Sequence, residues 1–96
     1  MALKIVWSKR ATLRLNKIMN YLRTEWSKKI NAEFLKIVNN RIETVSLFPN
    51  IGEKTRKNKK LRQYLITKHC YIIYEISKTS IQIINIKDTR QNSNGN

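Results

Sequence analysis

Apolar positions along the chain change rhythm, and each rhythm predicts an element. From Ala2 to Trp7 they alternate, with Leu3, Ile5 and Trp7 on one side and Lys4 on the other, the period-two pattern of a strand. After Ser8 the period lengthens. Ala11, Leu15, Ile18, Met19, Leu22 and Trp26 fall on one face of a helix whose opposite face carries Lys9, Lys17 and Arg23. The Ser8 hydroxyl can cap this helix by accepting a hydrogen bond from an early backbone N–H. Ser27 offers a second cap, and Phe34, Ile37, Val38, Ile42 and Val45 then keep helical spacing to about Leu47, where Pro49 discourages further helix. The junction at Trp26 and Ser27 is so short that an antiparallel helical hairpin is expected, with Trp26 and Phe34 in its packing.

Past the loop punctuated by Pro49 and Gly52, three runs rich in Ile and Tyr read as strands: Leu61 to Thr67, Cys70 to Ile76 and Ile81 to Lys87. Their short polar breaks, Lys68-His69 and Ser77 to Ser80, imply an antiparallel meander. In the third run the apolar parity shifts between Ile83 and Ile84, which predicts a bulge or a central strand covered on both faces. The expected fold class is therefore α+β, in the order β-α-α-β-β-β. An antiparallel-rich four-stranded sheet is packed on the helical hairpin, whose apolar face has no other surface to meet. Residues 1–92 are expected as one domain and 93–96 as a polar tail. The sheet's free face or rim then becomes the place for a site, with Arg62, Tyr64 and the segment Asp88 to Gln91 as candidates.

Charge changes this picture more than length does. Twenty Lys and Arg against six Asp and Glu give a net charge of +14 over 96 residues, a self-repelling balance that calls for an anionic neighbour. Nucleic acid, a ribonucleoprotein or an acidic masking protein would all serve, and binding through phosphates would depend strongly on salt. The cations concentrate between Glu53 and Arg62, where Lys54, Arg56, Lys57, Lys59 and Lys60 accompany a single acid. Such a run is either a solvated loop or, beside a sheet edge, a reach toward a phosphate backbone, and Lys87 is grouped with it as a binding candidate.

One cysteine, Cys70, excludes an intramolecular disulfide, and neither the Cys nor the His count suits a zinc site. A cytoplasmic setting without cofactor or metal is the expectation. The first residues do not read as a signal peptide, and no run approaches the ~18 apolar residues of a membrane helix.

Several motifs together resemble the RelE/ParE superfamily of toxins from type II toxin–antitoxin systems. They are the spacing of Tyr21, Leu22, Trp26 and Ser27, the FPNIG turn at Phe48 to Gly52, the stretches LRQYLITKH and IIYEI, and INIKDTRQN near the end. The last is the most specific, since many ParE-like members close with a similar sequence. The resemblance implies a compact growth-inhibiting toxin, of the kind associated with plasmid stabilization, neutralised by a cognate antitoxin whose C-terminal segment wraps it. RelE-like members cut mRNA in the ribosomal A site and ParE-like members poison DNA gyrase, and the fold alone does not separate the two.

The cutting reaction uses the RNA's own 2′-hydroxyl and no metal. The protein must favour loss of that proton, stabilise extra charge on the phosphate and assist the leaving oxygen. Arg62 and Arg90 match the positions of the family's two core arginines and could clamp a phosphate, with Lys54, Arg56 and Lys57 in support. RelE-like and YoeB-like enzymes also place a Tyr or His near the C-terminus as acid or base, whereas Gln91 to Asn96 contains neither. Tyr64, which shares strand parity with Arg62, and His69 are the substitutes available, each with a structural alternative in packing or in a surface turn. Asp88 is expected to orient Arg90 or pair with it. The order of expectations is a ParE-like gyrase inhibitor first, a ribosome-dependent mRNA endonuclease second, and a non-toxic basic nucleic-acid-binding module third.

Overall fold

The computed structural model describes residues 2–89. Strand β1 (Lys4–Trp7) leads into helices α1 (Lys9–Glu25) and α2 (Lys28–Leu47), a 3-10 turn at Pro49–Ile51, and strands β2 (Glu53–Lys54), β3 (Leu61–Thr67), β4 (Cys70–Ile76) and β5 (Ser80–Asp88). One five-stranded sheet runs in the order β1-β5-β4-β3-β2. Neighbours are antiparallel except β1 and β5, which are parallel. The predicted class and element order hold, with one strand more than expected. The extra strand is β2, two charged residues at the edge, too short to show an apolar alternation.

Both helices start where a serine allows them to. Ser8 accepts from the Ala11 N–H at 3.0 Å and Ser27 from the Ile30 N–H at 3.0 Å. Only Trp26 and Ser27 separate the helices, so they fold back as a hairpin onto one face of the sheet. Ala11, Ile18 and Leu22 of α1 and Phe34, Val38 and Val45 of α2 are buried against Ile72, Tyr74, Ile81, Ile83 and Ile86. Trp26 departs from its expected packing and is 57% exposed. At φ −119° and ψ −86° its backbone has already left the helix, so its side chain no longer continues the apolar stripe.

The parity shift in β5 is a bulge. Ile73 pairs with Asn85 and Tyr74 with Ile83, leaving Ile84 as the extra residue. Ile83 and Ile86 can therefore both face the helices although three positions apart, a spacing a regular strand forbids. The bulge's backbone finds its partner in Ser8, whose hydroxyl donates to the Ile84 carbonyl at 2.9 Å while its N–H donates to the Ile83 carbonyl at 3.0 Å. The same hydroxyl thus caps α1 and satisfies the irregular strand. Ser46 performs a parallel task for the chain entering β1: its Oγ donates to the Leu3 carbonyl at 2.5 Å, and its own carbonyl accepts from the Leu3 N–H at 3.1 Å. No helix among the described residues is long and apolar enough to cross a membrane.

Because Ser8 serves two elements and Ser27 only one, their alanine variants should differ. Ser27→Ala is expected to cost about 1 kcal/mol, the usual loss of an N-cap. Ser8→Ala should cost about 2 to 3 kcal/mol, since it also strips a partner from a bulge carbonyl. Urea unfolding of the two variants side by side checks the difference.

Candidate functional site

Side chains of paired residues share a face of the sheet, so the register assigns each candidate to a side. Arg62 stands opposite Tyr74, and Tyr64 opposite Ile72. Tyr74 and Ile72 are fully buried under the helices. Of the two places expected for them, the free face or the rim, Arg62 and Tyr64 therefore take the rim: they lie on the helix side, at its margin, and not on the open face. The physical reason is Ile66: it has the parity of Arg62 and Tyr64, and its burial at 2% exposure fixes that whole set inward.

Arg62 is engaged there. Its Nη1 donates to the Gly52 carbonyl at 2.7 Å and to the Asn50 carbonyl at 3.3 Å. The Tyr74 hydroxyl holds the same turn from within, donating to the Pro49 carbonyl at 2.7 Å and accepting from the Gly52 N–H at 2.9 Å. A Cβ on residue 52 would stand 2.6 Å from the Tyr74 hydroxyl and 2.8 Å from the Gln63 carbonyl, so this position has room only for glycine. Burial pushes the Tyr74 phenol up from its ordinary pKa; the Gly52 N–H and the Arg62 charge oppose that, and Tyr64 adds to it. Tyr64 is also tied: Arg41 Nη1 donates to its hydroxyl at 3.0 Å, and the Arg41 guanidinium carbon lies 5.7 Å from its ring centre.

The open face holds a groove of about 920 Å³. Leu61, Gln63, Tyr71 and Ile73 line it from β3 and β4, Lys87 from β5, and Glu53 to Asn58 from the edge. Tyr71 and Lys87 are direct cross-strand partners. Lys54 lines the groove at the end of β2, although its register partner is Arg62. Of the six cations proposed for binding, Lys54, Arg56, Lys57 and Lys87 come together here, and Lys59 and Lys60 are exposed outside its lining. Glu75 is the other acid on this face, beside Leu61 in register.

The remaining candidates lie elsewhere. His69 occupies the β3–β4 turn, beside a shallow depression it shares with Phe34 and Ile37. Asp88 is buried at the end of β5 opposite Cys70. Arg90, Gln91, Asn92 and the polar tail 93–96 lie outside the described residues. Tyr71 was missed from sequence. Its signal is Glu75, which shares Tyr71's parity in β4 and marks that side as the wet one.

Similarity to known structures agrees with this architecture. The toxin fold of the chromosomal ParDE toxin–antitoxin system of P. aeruginosa superposes with a TM-score of 0.77 at 11% identity, over 91% of this chain and 96% of that one. In the RelBE2 toxin–antitoxin complex of Mycobacterium tuberculosis the match has a TM-score of 0.66 at 15% identity, over 92% and 99%. The YoeB dimer of Staphylococcus aureus gives 0.61 at 18%, over 91% and 97%. No curated protein matches the sequence significantly. The fold is thus that of the RelE/ParE toxins. Residues 5–93 match the family described as "ParE toxin of type II toxin-antitoxin system, parDE"; the chain belongs to that family.

Two variants test the brace under the groove's edge. Gly52→Ala should destabilise by about 1 to 3 kcal/mol, because the methyl group meets backbone as well as a fixed phenol. Tyr74→Phe should cost about 1 to 3 kcal/mol by leaving the buried Gly52 N–H and the part-buried Pro49 carbonyl without their partner. The raised phenol pKa adds a pH signature. The folded chain keeps a proton that the unfolded chain surrenders near pH 10, so this contribution is intact below about pH 10 and is lost as pH rises further. Urea midpoints measured at neutral and strongly alkaline pH should show a shallower alkaline loss in Tyr74→Phe than in the parent.

Proposed function

We propose that this chain arrests growth by inhibiting DNA gyrase, and that a cognate antitoxin holds it inactive until then. The observation that carries this reading is the match to the ParE toxin family across residues 5–93. The geometry of Arg62 supports it. An arginine that clamps a scissile phosphate must offer its N–H groups outward, whereas Nη1 of Arg62 is spent on the carbonyls of Asn50 and Gly52. Tyr64, the acid or base an endonuclease would need beside it, accepts a hydrogen bond from Arg41 of α2. The antitoxin partner is supported by the related toxins solved within toxin–antitoxin systems, including RelBE2 and the E. coli DinJ-YafQ complex. An acidic antitoxin would also offset the net charge of +14.

One observation favours a second reading, a ribosome-dependent mRNA endonuclease: Lys54, Arg56, Lys57 and Lys87 converge on an open groove beside Tyr71. These cations would stabilise charge on a phosphate, one of the three tasks of cleavage.

Purified protein added to gyrase and relaxed plasmid should abolish supercoiling or accumulate cleaved plasmid, and mRNA in a translating extract should stay intact. Unimpaired supercoiling together with cuts at fixed codon positions would reverse the order of the two readings. Induction without antitoxin that leaves growth unaffected would remove both.

A further inference from the structure

Of the four residues Tyr21, Leu22, Trp26 and Ser27, three are engaged by the fold and one is not. Leu22 is fully buried, Tyr21 packs partly buried against the core, and Ser27 caps α2. Trp26 stands 57% exposed at the apex of the helical hairpin. Burying an indole is among the larger apolar gains open to a single side chain, and the fold leaves most of that gain untaken.

The apex nevertheless holds this residue in a fixed place. The N–H groups of Trp26 and Ser27 both donate to the Leu22 carbonyl at 3.0 Å, the Ser27 carbonyl accepts from the Asn31 N–H at 3.1 Å, and the Ser27 Oγ accepts from the Ile30 N–H at 3.0 Å. Through Leu22 the apex is tied to the core. A tryptophan presented in this way loses little further conformational freedom on docking, which favours its use as an anchor.

Cations surround the ring. Arg23 in the last turn of α1 and Lys28 and Lys29 in the first turn of α2 are all exposed. Arg23 Nη2 donates to Asn20 Oδ1 at 2.6 Å, which lays the guanidinium along α1. The first turn of α2 has no acid, so two ammonium groups sit at the positive end of its dipole, against the usual preference. Carboxylates of a partner would offset that. Lys68, exposed on the β3–β4 turn, lies at the same end of the molecule, since that turn shares a depression with Leu22 and Ile30. The basic loop before β3 lies at that strand's other end, roughly 23 Å away for a strand of seven residues.

We propose that this hairpin apex is the surface by which the chain docks on gyrase, with Trp26 inserted in an apolar cleft of that protein and Arg23, Lys28 and Lys29 meeting carboxylates on its rim. The proposal rests on the gyrase reading and names the contact within it. A convex point with one large ring and charged groups around it suits a protein cleft, where buried Trp and Arg carry much of the binding. Glu25 adjoins the ring in the chain, an anion where a nucleic-acid phosphate would have to pass, while a protein rim can offer it a donor. A lipid surface favours several apolar side chains along one face, and among the described residues the apex exposes only Trp26 as a large apolar group.

Supercoiling by purified gyrase, titrated with the chain, tests both levels. Trp26→Ala should raise the half-inhibiting concentration at least about 20-fold, the size of a hot-spot truncation, at an unchanged urea midpoint. Trp26→Phe, which keeps an apolar ring, should fall between the two. Lys28→Ala with Lys29→Ala should raise it about fivefold at low salt, a difference that fades as salt rises. Leu13→Ala and Phe48→Ala remove side chains that are 57% and 63% exposed away from the apex, and both should stay within about twofold of the parent.

A parent that leaves supercoiling unimpaired removes the gyrase reading and this contact with it. Where the parent inhibits, two results overturn the contact alone: a folded Trp26→Ala protein that inhibits as the parent does, or losses from Leu13→Ala or Phe48→Ala as large as the loss from Trp26→Ala. The first of these, together with lost capture by phosphatidylglycerol vesicles or by labelled oligothymidylate, would give the apex to a lipid surface or a nucleobase instead.

Discussion

The Tyr74 hydroxyl is the contact on which the functional side of this molecule depends. It reaches from the middle strand of the sheet to the turn after α2, where it donates to Pro49 and accepts from Gly52. Strand β2, which follows that turn, is only two residues long. So short a strand cannot hold its own place through ladder bonds, and its position is inherited from the turn. Arg62 grips the same turn from the next row, so a phenol and a guanidinium fix it from adjacent positions on β4 and β3. Glycine at 52 follows from that closeness and from nothing in its dihedral angles, which are ordinary for an extended residue.

A second constraint sets which side of the sheet is which. Without the extra residue at Ile84, either Ile83 or Ile86 would be turned out to water, because strand parity admits only even spacings on one face. Both are fully buried. The bulge thereby keeps the core continuous past the irregularity and leaves Gln82 and Lys87 on the open face. Its cost in unpaired backbone is met by Ser8, the residue that also starts α1. Sheet face and helix entry are consequently fixed by one side chain, and the groove lies on the face that this arrangement leaves uncovered.

Most of the fold was legible because its signals are local. Ser8 and Ser27 announce the helices, Ile83 and Ile84 announce the bulge, and the bounds of β3 and β4 follow from their apolar runs. What escaped depends on contacts distant in sequence. Strand β2 exists because Gln63 and Arg62 lie beside Glu53 and Lys54, a pairing that a charged dipeptide does not advertise. The inward side of Arg62 was written in Ile66, but a charged residue at a strand margin invites assignment to solvent. Tyr71 went unnoticed for the opposite reason: in a strand of alternating apolar residues only Glu75 distinguishes its wet side. The last three residues of INIKDTRQN, the motif on which the family resemblance leans most, lie outside the described residues.

Two basic features that look alike in sequence have separated into different roles. Arg62 and Arg56 are six residues apart in one cationic run, yet the first turns its Nη1 to backbone carbonyls and the second lines an open groove. Charge alone could not predict this, since a guanidinium serves a carbonyl and a phosphate with the same N–H groups. Parity could: alternation sends Arg62 to the face where Tyr74 and the turn wait, while the Thr55–Asn58 bonds lift Arg56 out of the strand pattern altogether. The electrostatic surface of this toxin is therefore a product of backbone geometry acting on a composition that is basic nearly everywhere. Along β3 to β5 and the loop before them, the cations that line the open groove are those lifted clear of the strand alternation or carried on its wet parity as Lys87 is.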